Sequence, residues 1–135
     1  MTYYISTQLD LGFDDAIAAT EAALKDEGFG VVTRIDMAQT LQSKMGVDFR
    51  DYVILGACNP KLAYEALQLE DKVGTMLPCN VVIQALGNGR TEVAAIDPVA
   101  SMQAIENQQL TAAASEVRER LQRVIQSLDG NAPGR

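Results

Sequence analysis

Tyr52-Val53-Ile54-Leu55-Gly56-Ala57-Cys58, followed at once by Asn59-Pro60, is the stretch from which the fold is read. Seven uncharged residues, several of them β-branched or aromatic, make a strand with no polar face. Such a strand belongs in the middle of a sheet, covered on both sides. Asn59 can cap a helix with its side chain, and Pro60 fits the first helical position, where a missing N–H costs nothing. The strand therefore hands over to a helix whose apolar face is Leu62, Ala63, Ala66 and Leu67.

On the C-terminal side, a loop from Asp71 to Pro78 leads into a second apolar strand, Cys79 to Leu86. Gly87-Asn88-Gly89 is a hairpin signal, and its partner strand is Thr91 to Ile96. Asp97-Pro98 repeats the cap-and-proline start and opens a short helix with Val99, Met102 and Ile105. A last helix runs from Leu110 to Leu128, with Ala114, Val117, Leu121, Val124, Ile125 and Leu128 at helical spacing. The tail from Asp129 to Arg135 is read as mobile.

On the N-terminal side, Met37 to Met45 forms a short helix ending at Gly46. Phe29 to Asp36 is a strand with Phe29, Val31 and Ile35 on one face and Arg34 on the other. A helix from Phe13 to Glu27 carries Phe13, Ile17 and Leu24 on its stripe and stops at Gly28. Tyr3 to Leu9 is the first strand. One domain, 1–128, accounts for the chain. Its expected class is α+β: an antiparallel sheet with the two long helices, 13–27 and 110–128, packed on one face. A strictly parallel strand–helix alternation is the competing arrangement.

Composition narrows the function. The net charge of −7 repels polyanions, and the scattered Lys and Arg form no basic patch, so nucleic acid is not an expected partner. No apolar run approaches the roughly 20 residues of a membrane span. The N-terminus lacks a basic region followed by an apolar stretch, and two cysteines are too few for a disulfide scaffold, so a reducing cytoplasmic setting is expected. The chain has no His, which removes the commonest general base and metal ligand together.

Ile54-Leu55-Gly56-Ala57-Cys58-Asn59-Pro60 and Gly74-Thr75-Met76-Leu77-Pro78-Cys79-Asn80-Val81-Val82, with Gly28-Phe29, Ile35-Asp36 and Asp97-Pro98, resemble the bacterial family called domain of unknown function 302 (DUF302). The resemblance covers nearly the whole chain in the same element order. It implies a compact α+β domain, often a homodimer, built somewhat like half of the TATA-binding protein. That likeness of fold carries no implication of DNA binding. It implies no assigned activity and no required cofactor. Tyr64 stands where related sequences often carry a His.

The candidate site is Cys58 and Cys79. One ends a strand and the other begins the next, so antiparallel neighbours would bring them to one end of the sheet, near enough to share a ligand or form a disulfide. The helix that starts at Asn59-Pro60 would favour a thiolate at Cys58. Met76 could add a thioether, and Asn59 and Asn80 flank the pair. Two thiolates and a thioether suit a soft metal ion such as Cu(I), with Cys58 and Cys79 as ligands, or a dithiol redox couple. Core packing is the reading that weighs most for both, because a free cysteine behaves as a small hydrophobe and each sits in an apolar strand. Among carboxylates, Asp36, Glu92 and Asp97 lie near strand ends, and Asp97 reads first as a helix cap. Two functions follow. The first is a non-enzymatic small-ligand-binding or assembly protein acting as a homodimer. The alternative is a thiol-dependent redox or sulfur-transfer protein. A homodimer is expected because Tyr52–Cys58 and Cys79–Leu86 are apolar on both faces, while two long helices cover one.

Overall fold

A computed structural model describes residues 2–129. Five strands form one sheet: β1 (Tyr4–Leu9), β2 (Gly30–Asp36), β3 (Tyr52–Cys58), β4 (Cys79–Gly87) and β5 (Arg90–Ile96). Their order is β1-β5-β4-β3-β2, and every ladder is antiparallel. The parallel alternation is thereby excluded. The helices are α1 (Phe13–Asp26), α2 (Met37–Met45), α3 (Pro60–Leu69), α4 (Pro98–Ser101) and α5 (Gln108–Asp129). The stretch read as a loop holds a 3-10 turn, Asp71–Met76. Among the described residues no helix is long and apolar enough to cross a membrane.

The caps written in the sequence do their expected work. Asn59 Oδ1 accepts from Leu62 N at 3.1 Å at the head of α3, and Asp97 Oδ1 accepts from Val99 N at 3.0 Å at the head of α4. Asn107 Oδ1 accepts from the backbone N–H groups of Gln109 and Leu110, which starts α5 two residues earlier than its apolar stripe. Asp129, read from sequence as the start of a mobile tail, is the last residue of α5, and its carboxylate accepts from Thr7 Oγ1 at 3.0 Å. The rest of that tail, 130–135, lies outside the described residues.

Alternation sorts the sheet into two faces. Val53, Leu55 and Ala57 of β3, Val81 and Ile83 of β4, and Val93 and Ala95 of β5 are buried in one cluster. Ile17 and Leu24 of α1 and Leu121, Val124, Ile125 and Leu128 of α5 complete it. Each large side chain in this cluster stabilises the fold by roughly 1.5–3 kcal/mol. Arg120 Nη1 donates to the carbonyl of Glu27 at 3.0 Å, and Arg123 Nε lies 2.9 Å from Glu27 Oε1. These contacts fasten α5 to the end of α1. A smaller cluster of Ala66, Val73, Met102, Leu110 and Ala114 joins α3 and the 3-10 turn to α5.

Two side-chain assignments differ from the sequence pattern. A bulge between Val31 and Thr33 shifts the register of β2, so Val31 lies opposite Ala57 while Ile35 lies opposite Ile54. The extra residue moves Ile35 to the other face, where it is exposed. Arg34 then sits on the helix side, 3.9 Å from Glu21 of α1. In α3 the buried residues are Leu62 and Ala66, with Leu69 packed against the small cluster, and Leu67 points outward.

Candidate functional site

Cys58 closes β3 and Cys79 opens β4, so the two residues lie at one end of neighbouring strands. The ladder pairs Cys79 with Ala57, and Cys58 with Gly30 of β2. The cysteines are thus diagonal neighbours and not a directly opposed pair. Both are free thiols, Cys79 buried and Cys58 half-buried, and they do not form a close pair. The disulfide allowed by the sequence reading is absent.

Beside them, between the sheet end, α3 and α5, lies a cavity of about 40 Å³. Small side chains make the space: Ala57 from β3, Ala63 and Ala66 from α3, and Ala113 and Ala114 from α5. Phe29, Leu62, Leu77, Met102 and Val117 supply bulkier walls. Cys58, Asn59 and Cys79 are the polarisable and polar groups of its lining, and no lining side chain carries a charge. Burial pushes the Cys79 thiol from 9.0 up to about 11, and the neighbouring Cys58 adds to the rise. Cys79 is therefore a protonated thiol at neutral pH.

Asn59 is held by its capping bond to Leu62 N and by the chain opposite. Gly28 stands there at φ 85°, and a Cβ at that position would meet Asn59 Nδ2 at 3.0 Å and Arg120 Nη1 at 3.3 Å. A residue with a side chain would be strained there and would push on the cap.

The residues singled out from sequence thus fall into separate places. Cys58, Asn59 and Cys79 line one cavity. Met76 packs against the small core cluster at the end of the 3-10 turn. Asn80 faces the other side of the sheet, as its place next to Cys79 in a strand dictates. Among the described residues no group of three or more Cys, Asp and Glu is arranged to hold a metal ion. Asp36 and Asp97 are helix caps, and Asp97 also pairs with Arg118 at 2.9 Å.

Sequence reasoning passed over a second hollow, on the open face. It is lined by Tyr3, Tyr4, Tyr52, Asn80, Gln84, Glu92 and the apolar residues between them. Polar residues at alternate positions of β4 and β5 were the available signal, but the register was needed to bring them together.

The sequence profile of domain of unknown function DUF302 matches residues 5–128. The chain belongs to this family. A crystal structure of an uncharacterized conserved DUF302 protein from Bacillus stearothermophilus superposes with a TM-score of 0.87 at 29% identity, covering 95% of this chain and 99% of that one. No curated protein matches the chain. The family and its α+β fold are settled by these likenesses, and neither carries an activity.

Proposed function

We propose that this DUF302 protein is a non-enzymatic binding protein whose small, largely apolar ligand enters the cavity beside Cys58 and Cys79. The uncharged lining carries this reading. A general acid or base would need a titratable partner facing the ligand, and the lining offers thiols alone. Cys79 at a pKa of about 11 is a poor nucleophile at neutral pH. A thiol-transfer role would have to fall to Cys58. The volume admits a small group or the end of a longer molecule, well short of the roughly 300 Å³ of a pocket that engulfs a drug-sized ligand.

Xenon, a one-atom apolar probe, tests the cavity. Xenon NMR is expected to show a saturable shift that Ala113→Leu removes while the fold persists. Filling the space is also expected to raise stability by about 1 kcal/mol, from roughly 24 cal/mol per Å³ of cavity. An identical xenon response in both proteins would sink the reading. A parallel titration with Cu(I) against Cys58→Ser and Cys79→Ser examines the soft-ion form of the same site.

Assembly as a homodimer is supported by a different observation. Helix α2 buries none of its residues within one chain, and Val32, Ile35, Met45, Val47 and Phe49 lie exposed on and beside β2 and α2. A second copy covering that edge would remove this apolar surface from water. Sedimentation at micromolar concentration is expected to give a dimer that Met45→Glu dissociates.

A further inference from the structure

We propose that the hollow on the open face of the sheet is a binding site for an organic cation, an ammonium group carried on a compact apolar body. Register builds the hollow. Ala94 lies between Ser6 and Val82, giving a low floor at the centre of the face. Tyr4 stands opposite Ile96 on one side, and Tyr52 stands opposite Gln84 on the other, with Gln84 in turn opposite Glu92. The tall rings therefore rise from different strands around a small residue, and the open hollow between them has a volume of about 370 Å³. Tyr3 adds a third ring, set edge-on to Tyr4 with centroids 5.1 Å apart.

The polar groups give the hollow its sign. Glu92 Oε1 accepts from Gln84 Nε2 at 2.9 Å, and Gln84 Oε1 accepts from Arg50 Nε at 2.8 Å. Arg50 lies over the Phe49 ring, 4.4 Å from its centroid, and 5.9 Å from the centroid of Tyr52, so it already faces one ring of the hollow from its edge. Its guanidinium bonds to the amide of Gln84 and not to the carboxylate, which leaves Tyr3, Tyr4 and Glu92 to meet a ligand cation. Among the described residues no Lys or Arg forms an ion pair with Glu92. The site thus presents one held carboxylate among phenol rings, and aromatic faces attract cations, quaternary ammonium above all. An anionic ligand would meet Glu92 and a chain of net charge −7.

The chain reports on this site unaided. It has no Trp, and three of its four Tyr line the hollow. Titration with choline is expected to change tyrosine fluorescence saturably. The neutral isostere 3,3-dimethyl-1-butanol is expected to bind the same protein at least about tenfold more weakly, the loss of cation–π and carboxylate attraction together. Glu92→Gln keeps the shape and the bond to Gln84, and is expected to weaken choline by a similar factor. No saturable response to choline, equal affinity for choline and its isostere, or an unchanged Glu92→Gln would overturn the proposal. The isostere comparison needs no variant and stands even if Glu92→Gln unfolds. A choline response that fades as protein concentration rises would assign the hollow to a second copy of the chain, and would overturn the proposal too.

Discussion

Leu55 and Ile54 are adjacent in β3 and live in different surroundings. Leu55 is fully buried in the cluster that residues of α1 and α5 complete, while Ile54, on the opposite face, is only half-buried. The same division runs across the sheet: Val81 and Val82, Ile83 and Gln84, Val93 and Glu92. One face is a packed core with a small cavity at its end. The other is a lattice of rings, small residues and hydrogen-bonded polar groups. A strand's composition can look uniform while its two faces have different surroundings, one packed into the core and one left partly open.

Paired substitutions sharpen this contrast most. Leu55→Ala is expected to cost about 3 kcal/mol in urea unfolding, and Ile54→Ala under about 1 kcal/mol. Similar losses at both positions would mean that the outer face is as well packed as the inner one. Gly56 is where the open face should break its own rule. A Cβ there would collide with Thr33 Oγ1 and lie 2.6 Å from Pro78 Cγ. Gly56→Ala is therefore expected to destabilise by about 2 kcal/mol, the scale of an overpacked core. A neutral result would show that β2 shifts freely at its bulge.

An effect confined to alkaline pH concerns the buried thiol. Cys79 loses its proton near pH 9.0 in the unfolded chain and near 11 in the folded one. Between these values the unfolded chain releases a proton that the folded protein keeps. This contribution to stability is whole below pH 9 and falls as pH rises to 11, by on the order of 2 kcal/mol. Denaturation at pH 8, 9.5 and 11, compared with Cys79→Ala, isolates it from the other groups that titrate there. Parallel curves for the two proteins would place Cys79 in contact with water.

Most elements were legible in the sequence because their ends carry chemistry: Asn59-Pro60, Asp97-Pro98, Gly28 and the Gly87-Asn88-Gly89 turn. What escaped was what one strand does to the next. The bulge after Val31 leaves no mark in composition, yet it reverses the face of Ile35. The cysteines read as a pair because one ends a strand where the next begins, and the register offset them by one residue. Asn80 could have been separated from Cys79 by alternation alone. The hollow around Ala94 left only the alternating polar residues of β4 and β5 as a trace in the sequence, since it is assembled from four strands at once.

The position of β1 bears on how the chain comes into being. Tyr4 pairs with Ile96, so the first strand of this sheet in chain order takes its place only beside the last. Until β5 exists, Tyr4, Ile5 and Leu9 have no ladder to join. The inner strands, tied by the β4–β5 turn, can assemble from nearer neighbours, whereas β1 must close the longest loop in the sheet, a slow step by its contact separation. Until β5 is in place β1 is an unpaired strand, and unpaired strand edges are what make partly folded chains prone to wrong pairing.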